Sequence, residues 1–343
     1  MGDSTGYPSP PREPAPAVPG GLQRLLNRRS AFALPLGRNF VPGSVRGYPI
    51  DFTEKTTVPE WPPPWFPVPP AHLFIDLTQW ALGAFERHLA GEGERWLEPA
   101  IKTGEFMLER QERDGRRAGA WLEPRNYRHT YHLQGPWVSA MAQGQSVSLL
   151  VRLAAETGRA DFADAAVRGL RPMQISSREG GAAAPLGGEL FPEEFPTDPP
   201  SFVLNGAIFA FWGYYDVAAG LGDETARTAF ESGVTLLAEN INRWDTGSWS
   251  RYDLYPHPVL NVANASYHAL HVKQLRLLDT LAPRPQLRAA AETFERYAAS
   301  PTNRRRALAR KVAFRLVIPR NHLLAGRLPW DRATGPQGAV RGR

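Results

Sequence analysis

Apolar residues recur with helical periodicity along most of the chain, and the helices that they predict come in pairs. In each pair, a long apolar helix is followed by a turn marked with Gly or Pro and then by a more amphipathic helix. The apolar helices are predicted at residues 74–89, 138–157, 201–220 and 261–281, and the amphipathic helices at residues 95–111, 160–173, 223–241 and 285–300. Repeated helical hairpins stack so that each buries the apolar face of its neighbour. The pattern therefore predicts a mainly α fold, an incomplete α/α toroid with the apolar helices inside and an open side that can admit a polymer.

Proline, glycine and arginine divide the rest of the chain. The predicted units are a disordered Arg- and Pro-rich tail at residues 1–46, an extended Pro-rich wrap at residues 47–70, the toroid at residues 71–300 and a basic C-terminal helix and tail at residues 301–343. Trp61, Trp65 and Phe66 are expected to anchor the wrap. Few strands are expected: a short hairpin within residues 120–133 and a strand at residues 187–192.

Formal charge is unevenly distributed, and this limits what it can indicate about partners. The chain carries +6, but residues 302–343 hold eleven Lys or Arg and one acid, so this segment carries +10 and the rest carries −4. The basic field that nucleic-acid binding requires does not extend over the body, and no nucleic-acid partner is predicted. We interpret the basic segment as a helix with a solvated Arg face. Peripheral contact with an anionic membrane or an anionic glycan is the alternative.

The residue types that are missing from the sequence also exclude several classes of site. There is no cysteine, which excludes disulfides, thiolate metal sites and cysteine nucleophiles and fits a reducing compartment. The first 25 residues lack the apolar core of a secretory signal, and no run approaches the ~18 apolar residues of a membrane span. We therefore expect a cytoplasmic protein, with membrane association through the basic segment as the alternative. Whether it forms a homodimer is left open.

Residues able to carry chemistry cluster ahead of the third and fourth apolar helices. The loops hold Glu193, Glu194, Arg251, Tyr252, Asp253, Tyr255 and His257, and the fourth apolar helix begins with Tyr267, His268 and His271. A spacing of four residues places Tyr267 and His271 on one helical face. A carboxylate, two tyrosines and an Arg near one mouth suit proton transfer on a carbon acid. The alternatives are solvated loop acids, histidines satisfied in the core, and a glycosidase that pairs Glu194 with Asp253.

Two helical motifs place an amide next to a glycine, Gln143 before Gly144 and Asn205 before Gly206. Glycine at such positions permits close packing of helices, and binding of sugar hydroxyls by the amides is the alternative. The histidines match no known metal signature, so no metal is predicted. No phosphate-binding glycine loop, serine elbow or dinucleotide fingerprint occurs, and no cofactor is predicted.

Four segments carry a more specific signal. They read WVSAMAQGQSVSLLVRL, EEFPTDPPSFVLNG, DTGSWSRYDL and SYHALHVKQLRLL, and they span residues 137–278. In sequence, order and approximate spacing they resemble the C-terminal helical domain of the D-glucuronyl C5-epimerases. The resemblance implies an α/α toroid that acts on an anionic, uronate-containing polysaccharide such as heparosan. It also implies inversion of D-glucuronate to L-iduronate at C5, without cleavage and without a redox cofactor.

The resemblance further implies residue roles. A base removes the C5 proton from one face of the sugar, an acid returns a proton to the opposite face, and the enolate between them needs hydrogen-bond donors or a cation. Carried over to this chain, the catalytic residues are Glu194, Tyr252 and Tyr267. A tyrosine acting as a base would need a pKa below its usual value near 10. The expected substrate-binding residues are Arg251, Asn205, Gln143, His268, Tyr255 and Arg128.

This chain departs from the family pattern at three places. Phe195 replaces a tyrosine, Tyr255 replaces an arginine, and Asn264, Ala265 and Ser266 precede Tyr267 in place of the family's residues. Two alternatives to an epimerase are therefore kept. One is a uronate polysaccharide lyase, in which the O4 substituent leaves after C5 deprotonation. The other is a family member with impaired catalysis that binds a glycan.

Overall fold

The computed structural model describes residues 35–66 and 72–319, and within them the chain forms nine α-helices and six short strands. The helices are α1 (Leu73–Leu89), α2 (Leu97–Arg110), α3 (Ala140–Thr157), α4 (Ala160–Leu170), α5 (Leu204–Leu221), α6 (Glu224–Asn240), α7 (Ala265–Leu281), α8 (Pro285–Ala299) and α9 (Pro301–Val317). Residues 1–34, 67–71 and 320–343 lie outside the described residues. They include most of the predicted tail, the end of the wrap and the C-terminal tail.

Helices α1 to α8 form four consecutive hairpins. The two helices of each pair pack against each other, and the first helices also make contacts in chain order: α1 with α3, α3 with α5 and α5 with α7. Helices α3 and α5 are buried along most of their length, whereas α6 and α8 bury one side only. The predicted mainly α fold of helical pairs is therefore confirmed, and the order of contacts is the one expected for an open α/α toroid.

Local sequence sets the helix ends. Ser139 caps α3 by accepting a hydrogen bond from the N–H of Ala142, and Gly158 ends the helix with φ 70°. Gly222 ends α5 in the same left-handed conformation, and the next residue, Asp223, caps α6 by accepting a hydrogen bond from the N–H of Ala226. Asn264 caps α7 by accepting a hydrogen bond from the N–H of Tyr267. These signals are local, which is why the sequence predicts the pairs well.

Glycine allows α3 and α5 to make backbone contact. A Cβ on Gly144 would lie 2.5 Å from the carbonyl oxygen of Phe209, and a Cβ on Gly213 would lie 2.7 Å from the Cα of Gly144. No side chain fits at such distances, so glycine is required at this crossing. The packing interpretation of Gly144 is confirmed.

Three two-stranded antiparallel ladders connect the helices. They pair β1 (Leu122–Glu123) with β4 (Trp137–Val138), β2 (Tyr127–Arg128) with β3 (His132–Leu133), and β5 (Ala183–Leu186) with β6 (Glu189–Pro192). The β2–β3 ladder confirms the hairpin expected within residues 120–133, with Tyr127 opposite Leu133. Strand β6 falls within the predicted strand at residues 187–192 and leads directly into Glu193.

The Pro-rich segment before α1 packs on the helices. Phe52 is buried with Tyr48 and Ile50 in the main core. Further along, the rings of Trp61 and Phe66 lie 5.9 and 5.5 Å from that of Phe106 in α2. The aromatic residues of this segment therefore hold it against the outer side of the first hairpin.

Helix α9 packs through a narrow seam and leaves much of its surface in solvent. Ala307 and Phe314 are buried, whereas Leu308, Val312 and Leu316 are exposed on another face. Within residues 35–66 and 72–319, no helix combines the length and apolar character needed to cross a membrane.

A buried ion pair ties α3 and α5 to the N-terminal segment. Arg152 Nη1 and Nη2 donate to the two carboxylate oxygens of Asp216 at 2.6 and 3.3 Å, and Nη2 also donates to the carbonyl oxygen of Gly47 at 2.7 Å. Nη1 donates in addition to the carbonyl oxygen of Ser148 at 2.8 Å. Both charged side chains are essentially inaccessible. A buried pair of this kind is sensitive to the loss of either partner, because the remaining charge has no compensation.

We expect Asp216→Ala to lower the free energy of unfolding by about 3–5 kcal/mol, measured by urea denaturation. Glu295→Ala is the matched control, because it breaks the pair between Arg276 and Glu295 on exposed helix surfaces, and its cost should stay within about 1 kcal/mol. The double variant Arg152→Met, Asp216→Leu removes both charges and should recover most of the loss. Equal effects of Asp216→Ala and Glu295→Ala would contradict the assignment.

Candidate active site

Glu193, the first of two adjacent acids after β6, anchors the loop. Its carboxylate accepts hydrogen bonds from the N–H and Oγ of Ser201, at 2.7 and 2.8 Å, and from the N–H of Phe202 at 2.7 Å. Phe202 has φ 47°, a left-handed conformation that is unfavourable for a bulky residue, so these bonds stabilise a strained turn. Glu193 thereby fixes the entry into α5.

Glu194 has very different surroundings. The residue is 5% exposed, and its Oε2 has no hydrogen-bond partner among the described residues. It lies against the first turn of α5, where a Cβ on Gly206 would be only 2.3 Å from Oε2. Burial, followed by the charges of Glu193 and Asp253, raises the pKa of Glu194 to about 8. A buried carboxyl that titrates near neutral pH is suited to exchange protons with a bound molecule.

Tyrosines from three separate segments form a cluster, and two of them, Tyr127 and Tyr252, lie within electrostatic reach of this carboxyl. The rings of Tyr252 and Tyr267 meet edge to face with centroids 5.0 Å apart. Burial raises the pKa of Tyr252 well above its usual value, and the charge of Glu194 raises it further, with smaller contributions from Tyr267 and Tyr127. Burial and Glu194 likewise raise the pKa of Tyr127. The structure therefore places Tyr252 against Tyr267 and within electrostatic reach of Glu194, and it adds Tyr127; the catalytic roles of these residues stay predictions.

The direction of the Tyr252 pKa bears on its role. The sequence analysis required a lowered pKa for any tyrosine that acts as a base, and the structure raises the pKa of Tyr252 instead. Tyr252 is thus held as a neutral phenol, which donates a proton or a hydrogen bond. The group next to it that becomes ionised near neutral pH is Glu194.

An aromatic wall borders the carboxyl. Phe195 stacks on Tyr127 with ring centroids 4.9 Å apart and lies 4.8 Å from Tyr131 and 5.6 Å from His72. Trp137 closes the cluster at 5.8 Å from Phe195. Aromatic faces beside polar groups are typical of pockets that bind organic ligands. Phe195, where the resemblance implies a tyrosine, supplies packing here and no hydroxyl.

Asp253 belongs to a hydrogen-bond network behind the wall. Its Oδ2 accepts hydrogen bonds from the hydroxyl of Tyr131 and from Nδ2 of Asn261, both at 2.5 Å, and lies 3.3 Å from Nε2 of His257. Asp253 is fully buried. The contacts indicate that its main role is to position neighbouring loops, which weakens the sequence alternative of a glycosidase pair formed by Glu194 and Asp253.

Two predicted substrate-binding residues are instead built into the core. His268 accepts a hydrogen bond from the N–H of Ser250 at 3.2 Å, lies 2.9 Å from the carbonyl oxygen of Phe294 through Nε2 and stacks on Trp249 with centroids 3.7 Å apart. Burial lowers its pKa to about 4, so it is neutral. The structure thus corrects the predicted sugar contact of His268, because both ring nitrogens already have protein partners.

Gln143 is also satisfied within the protein. Its Nε2 donates to the carbonyl oxygens of Gly119 and Gly169 at 3.1 and 2.8 Å, and its Oε1 accepts from the N–H of Trp121 at 2.7 Å. The side chain is completely buried. It joins α3 to neighbouring loops and leaves no amide group for sugar hydroxyls, which corrects the second predicted contact.

The remaining predicted contacts fall at different depths. Asn205 is 2% exposed and precedes Gly206, and its Oδ1 has no partner among the described residues. Tyr255 is buried against Tyr131, with ring centroids 5.6 Å apart. Arg251 is half-buried, and its Nε donates to the carbonyl oxygen of Asp253 at 3.0 Å. Arg128 is exposed on β2.

The sequence did not indicate that Tyr127 of β2 or the cations Lys311 and Arg315 of α9 would lie near the site. Tyr127 lies in a segment, YRHTYH, whose density of aromatic and His residues was the available signal. Lys311 lies with its Nζ 5.6 Å from the ring centroid of Tyr252, although the sequence suggested only a solvated basic helix. In the part of the chain that the structure describes, no group of three or more His, Cys, Asp or Glu is placed to hold a metal ion.

The fold and site define a helical-hairpin protein with a buried carboxyl in the loop before α5, within electrostatic reach of two tyrosines. A family model for the D-glucuronyl C5-epimerase C-terminus matches residues 114–296, more than half of the chain, and the chain belongs to this family. It is 35% identical over 156 residues to a D-glucuronyl C5-epimerase of Caenorhabditis elegans, an alignment that covers 41% of this chain and 25% of the relative. The match thus spans about a quarter of the relative's length.

The raised pKa of Glu194 predicts a pH-dependent effect of Glu194→Gln on stability. Because folding raises this pKa from 4.5 to about 8, the folded state favours the protonated carboxyl. The cost of ionising it is absent below pH ~4.5, grows as the pH rises and is complete above pH ~8. We expect Glu194→Gln to raise the melting temperature relative to the wild type more at pH 9 than at pH 5, by roughly 2–4 °C per kcal/mol removed. Thermal unfolding followed by circular dichroism tests this, and a difference that does not change with pH would contradict it.

Proposed function

We propose that this protein is a polysaccharide uronate C5-epimerase, which inverts D-glucuronate to L-iduronate, or a related uronate, within a polymer. The observation that carries the proposal is Glu194, a buried carboxyl whose Oε2 has no hydrogen-bond partner among the described residues and whose pKa is raised to about 8. Tyr252 lies within its electrostatic reach and packs against Tyr267. Membership of the D-glucuronyl C5-epimerase C-terminus family supports the same chemistry.

In the proposed mechanism, ionised Glu194 takes the proton from C5 of the uronate. The electron pair of the C–H bond moves into the C5–C6 bond, and the negative charge spreads onto the carboxylate oxygens as an enolate. Inversion requires a new proton to reach C5 from the opposite face, and a phenol, Tyr252 or Tyr267, supplies it. The tyrosinate and the protonated glutamate then return to their starting states through exchange with water. A neutral phenol is required for this role, which agrees with the raised pKa of Tyr252.

The aromatic wall supports a sugar polymer as substrate. Tyr127, which is only partly buried, stacks on the buried ring of Phe195 and interacts electrostatically with Glu194. Apolar sugar faces bind to accessible aromatic rings of this kind while polar groups set the orientation. Heparosan, the glucuronate polymer that the family resemblance implies, is the first substrate to test. The location that we propose is cytoplasmic, where a uronate polymer is available before export.

The test is incorporation of deuterium at C5 when heparosan is incubated with the protein in heavy water. Wild-type protein should exchange C5 protons, and Glu194→Gln and Tyr267→Phe should each slow exchange by ~100-fold or more, because each removes a group that handles the proton. Tyr297→Phe is the matched control: its hydroxyl contacts Asp245 near α8, and the variant should retain wild-type exchange.

The same reaction separates the alternatives. A lyase would release an unsaturated uronate, which absorbs in the ultraviolet, whereas an epimerase would leave the absorbance unchanged. Absence of exchange on every uronate polymer, with binding retained, would overturn the catalytic proposal in favour of a glycan-binding protein. Wild-type exchange in both site variants would overturn the assigned roles.

The pH dependence of exchange provides a separate prediction. Because Glu194 must be ionised to accept the C5 proton and its pKa is about 8, the rate should increase with pH and level off above pH ~8. Initial rates of deuterium incorporation between pH 6 and pH 9.5 measure this profile. A rate that is constant from pH 6 upward would show that the base has an ordinary carboxyl pKa and is not Glu194.

A further inference from the structure

The proposed reaction needs a positive charge near the substrate carboxylate, which Glu194 and the tyrosines do not supply. The substrate is a carboxylate before proton transfer and carries more charge on its oxygens as the enolate forms, so a cation near these oxygens favours the reaction. Within the family segment, the two arginines predicted to bind substrate, Arg251 and Arg128, are poorly placed for this task. The Nε of Arg251 is directed to the carbonyl oxygen of Asp253, and Arg128 lies exposed on β2.

Helix α9 reaches the site from outside the family segment, which ends at residue 296. Its buried Phe314 meets the ring of His257 edge to face, with centroids 5.0 Å apart. His257 lies in the loop that also carries Tyr252. Docking of α9 on this loop therefore sets the distance between the helix and the tyrosines.

Lys311 extends from the docked face of α9 to the site. Its Nζ donates to Oδ1 of Asn261 at 2.7 Å and to the carbonyl oxygen of Val262 at 2.8 Å. The same ammonium lies 5.6 Å from the ring centroid of Tyr252. The two acceptors fix the charge next to a proposed catalytic phenol. A lysine acts as a compact point charge, so it can attract a carboxylate while keeping these hydrogen bonds.

Arg315 lies one helical turn after Lys311, on the same face of α9. Its Nη1 donates to Oγ1 of Thr130 at 3.1 Å, in the turn between β2 and β3. Burial raises the pKa of Tyr127, and the positive charge of Arg315 lowers it. The guanidinium is therefore within electrostatic reach of that phenol. Two cations of one helix thus approach the tyrosine cluster, Lys311 at Tyr252 and Arg315 at Tyr127.

We propose that α9 forms part of the substrate site and that Lys311 is the cation that binds the uronate carboxylate, with Arg315 as a second, auxiliary charge. The inference rests on the proposed function and adds a binding role for a helix outside the family segment. Lys311 has a substrate-binding role, because Glu194 and the tyrosines carry out the proton transfer itself.

The test compares two polymers and three variants of the full chain. The polymers are heparosan and its carboxyl-reduced counterpart, in which each glucuronate is replaced by glucose, and their affinities are measured by calorimetry. Lys311→Gln should weaken heparosan binding at least tenfold and leave binding of the reduced polymer unchanged. Arg306→Gln removes the same charge from an exposed position of α9 and should change neither affinity. Lys311→Arg should restore most of the heparosan affinity.

A purely structural role of Lys311 would weaken both polymers alike, and that result would overturn the proposal. So would equal effects of Lys311→Gln and Arg306→Gln on heparosan, since the charge would then act only from a distance. Deuterium exchange separates this inference from the proposed function. If wild type exchanges and Lys311→Gln exchanges with the same KM and kcat, only the inference fails. If wild type does not exchange, the proposed function fails. The affinities for heparosan and for the carboxyl-reduced polymer then still show whether Lys311 binds the carboxylate.

Discussion

The constraint on which the site depends is the burial of two adjacent carboxyls, one hydrogen-bonded through both oxygens and one whose Oε2 has no partner among the described residues. Burial raises the pKa of each to about 8. The oxygens of Glu193 accept hydrogen bonds from the N–H groups of Ser201 and Phe202 and so fix the turn into α5. That turn holds Glu194 against Gly206, where Oε2 has no partner among the described residues. Most buried polar groups are hydrogen-bonded, because leaving one unpaired is costly. The structure accepts this cost at the position where a proton acceptor is useful.

The scaffold tolerates such a group because its helices are held rigidly. Gly144 and Gly213 bring α3 and α5 into backbone contact, and the buried pair of Arg152 and Asp216 joins the same two helices. The loop that carries Glu194 leads into α5. The contact between α3 and α5 therefore helps to set the position of the carboxyl. Rigid support matters for proton transfer, which depends on short distances between the reacting groups.

The phenols and the carboxyl adjust each other. Burial raises the pKa of Tyr252 and Tyr127, and the charge of Glu194 adds to this effect, so the tyrosines stay neutral while the carboxyl titrates near neutral pH. Because both pKa values are raised, there is a pH range above about 8 in which the carboxyl is ionised and the phenols are neutral, so one group accepts a proton and the other donates one. The aromatic wall around Phe195 supplies the low-dielectric surroundings on which these shifts depend.

The sequence by itself determined the helical pairs and the close packing at Gly144, because periodicity and short motifs are local properties, and the family resemblance indicated Glu194, Tyr252 and Tyr267 as site residues. The prediction that Gln143 and His268 bind sugar was wrong. Residue type alone does not distinguish a buried amide or imidazole that hydrogen-bonds to the backbone from one that binds a sugar. The sequence also provided no reason to bring Tyr127 or Lys311 to Tyr252, from more than a hundred residues before it and almost sixty after it. Only the tertiary structure decided these, because burial, hydrogen-bond partners and shifted pKa values arise when segments remote in sequence pack together.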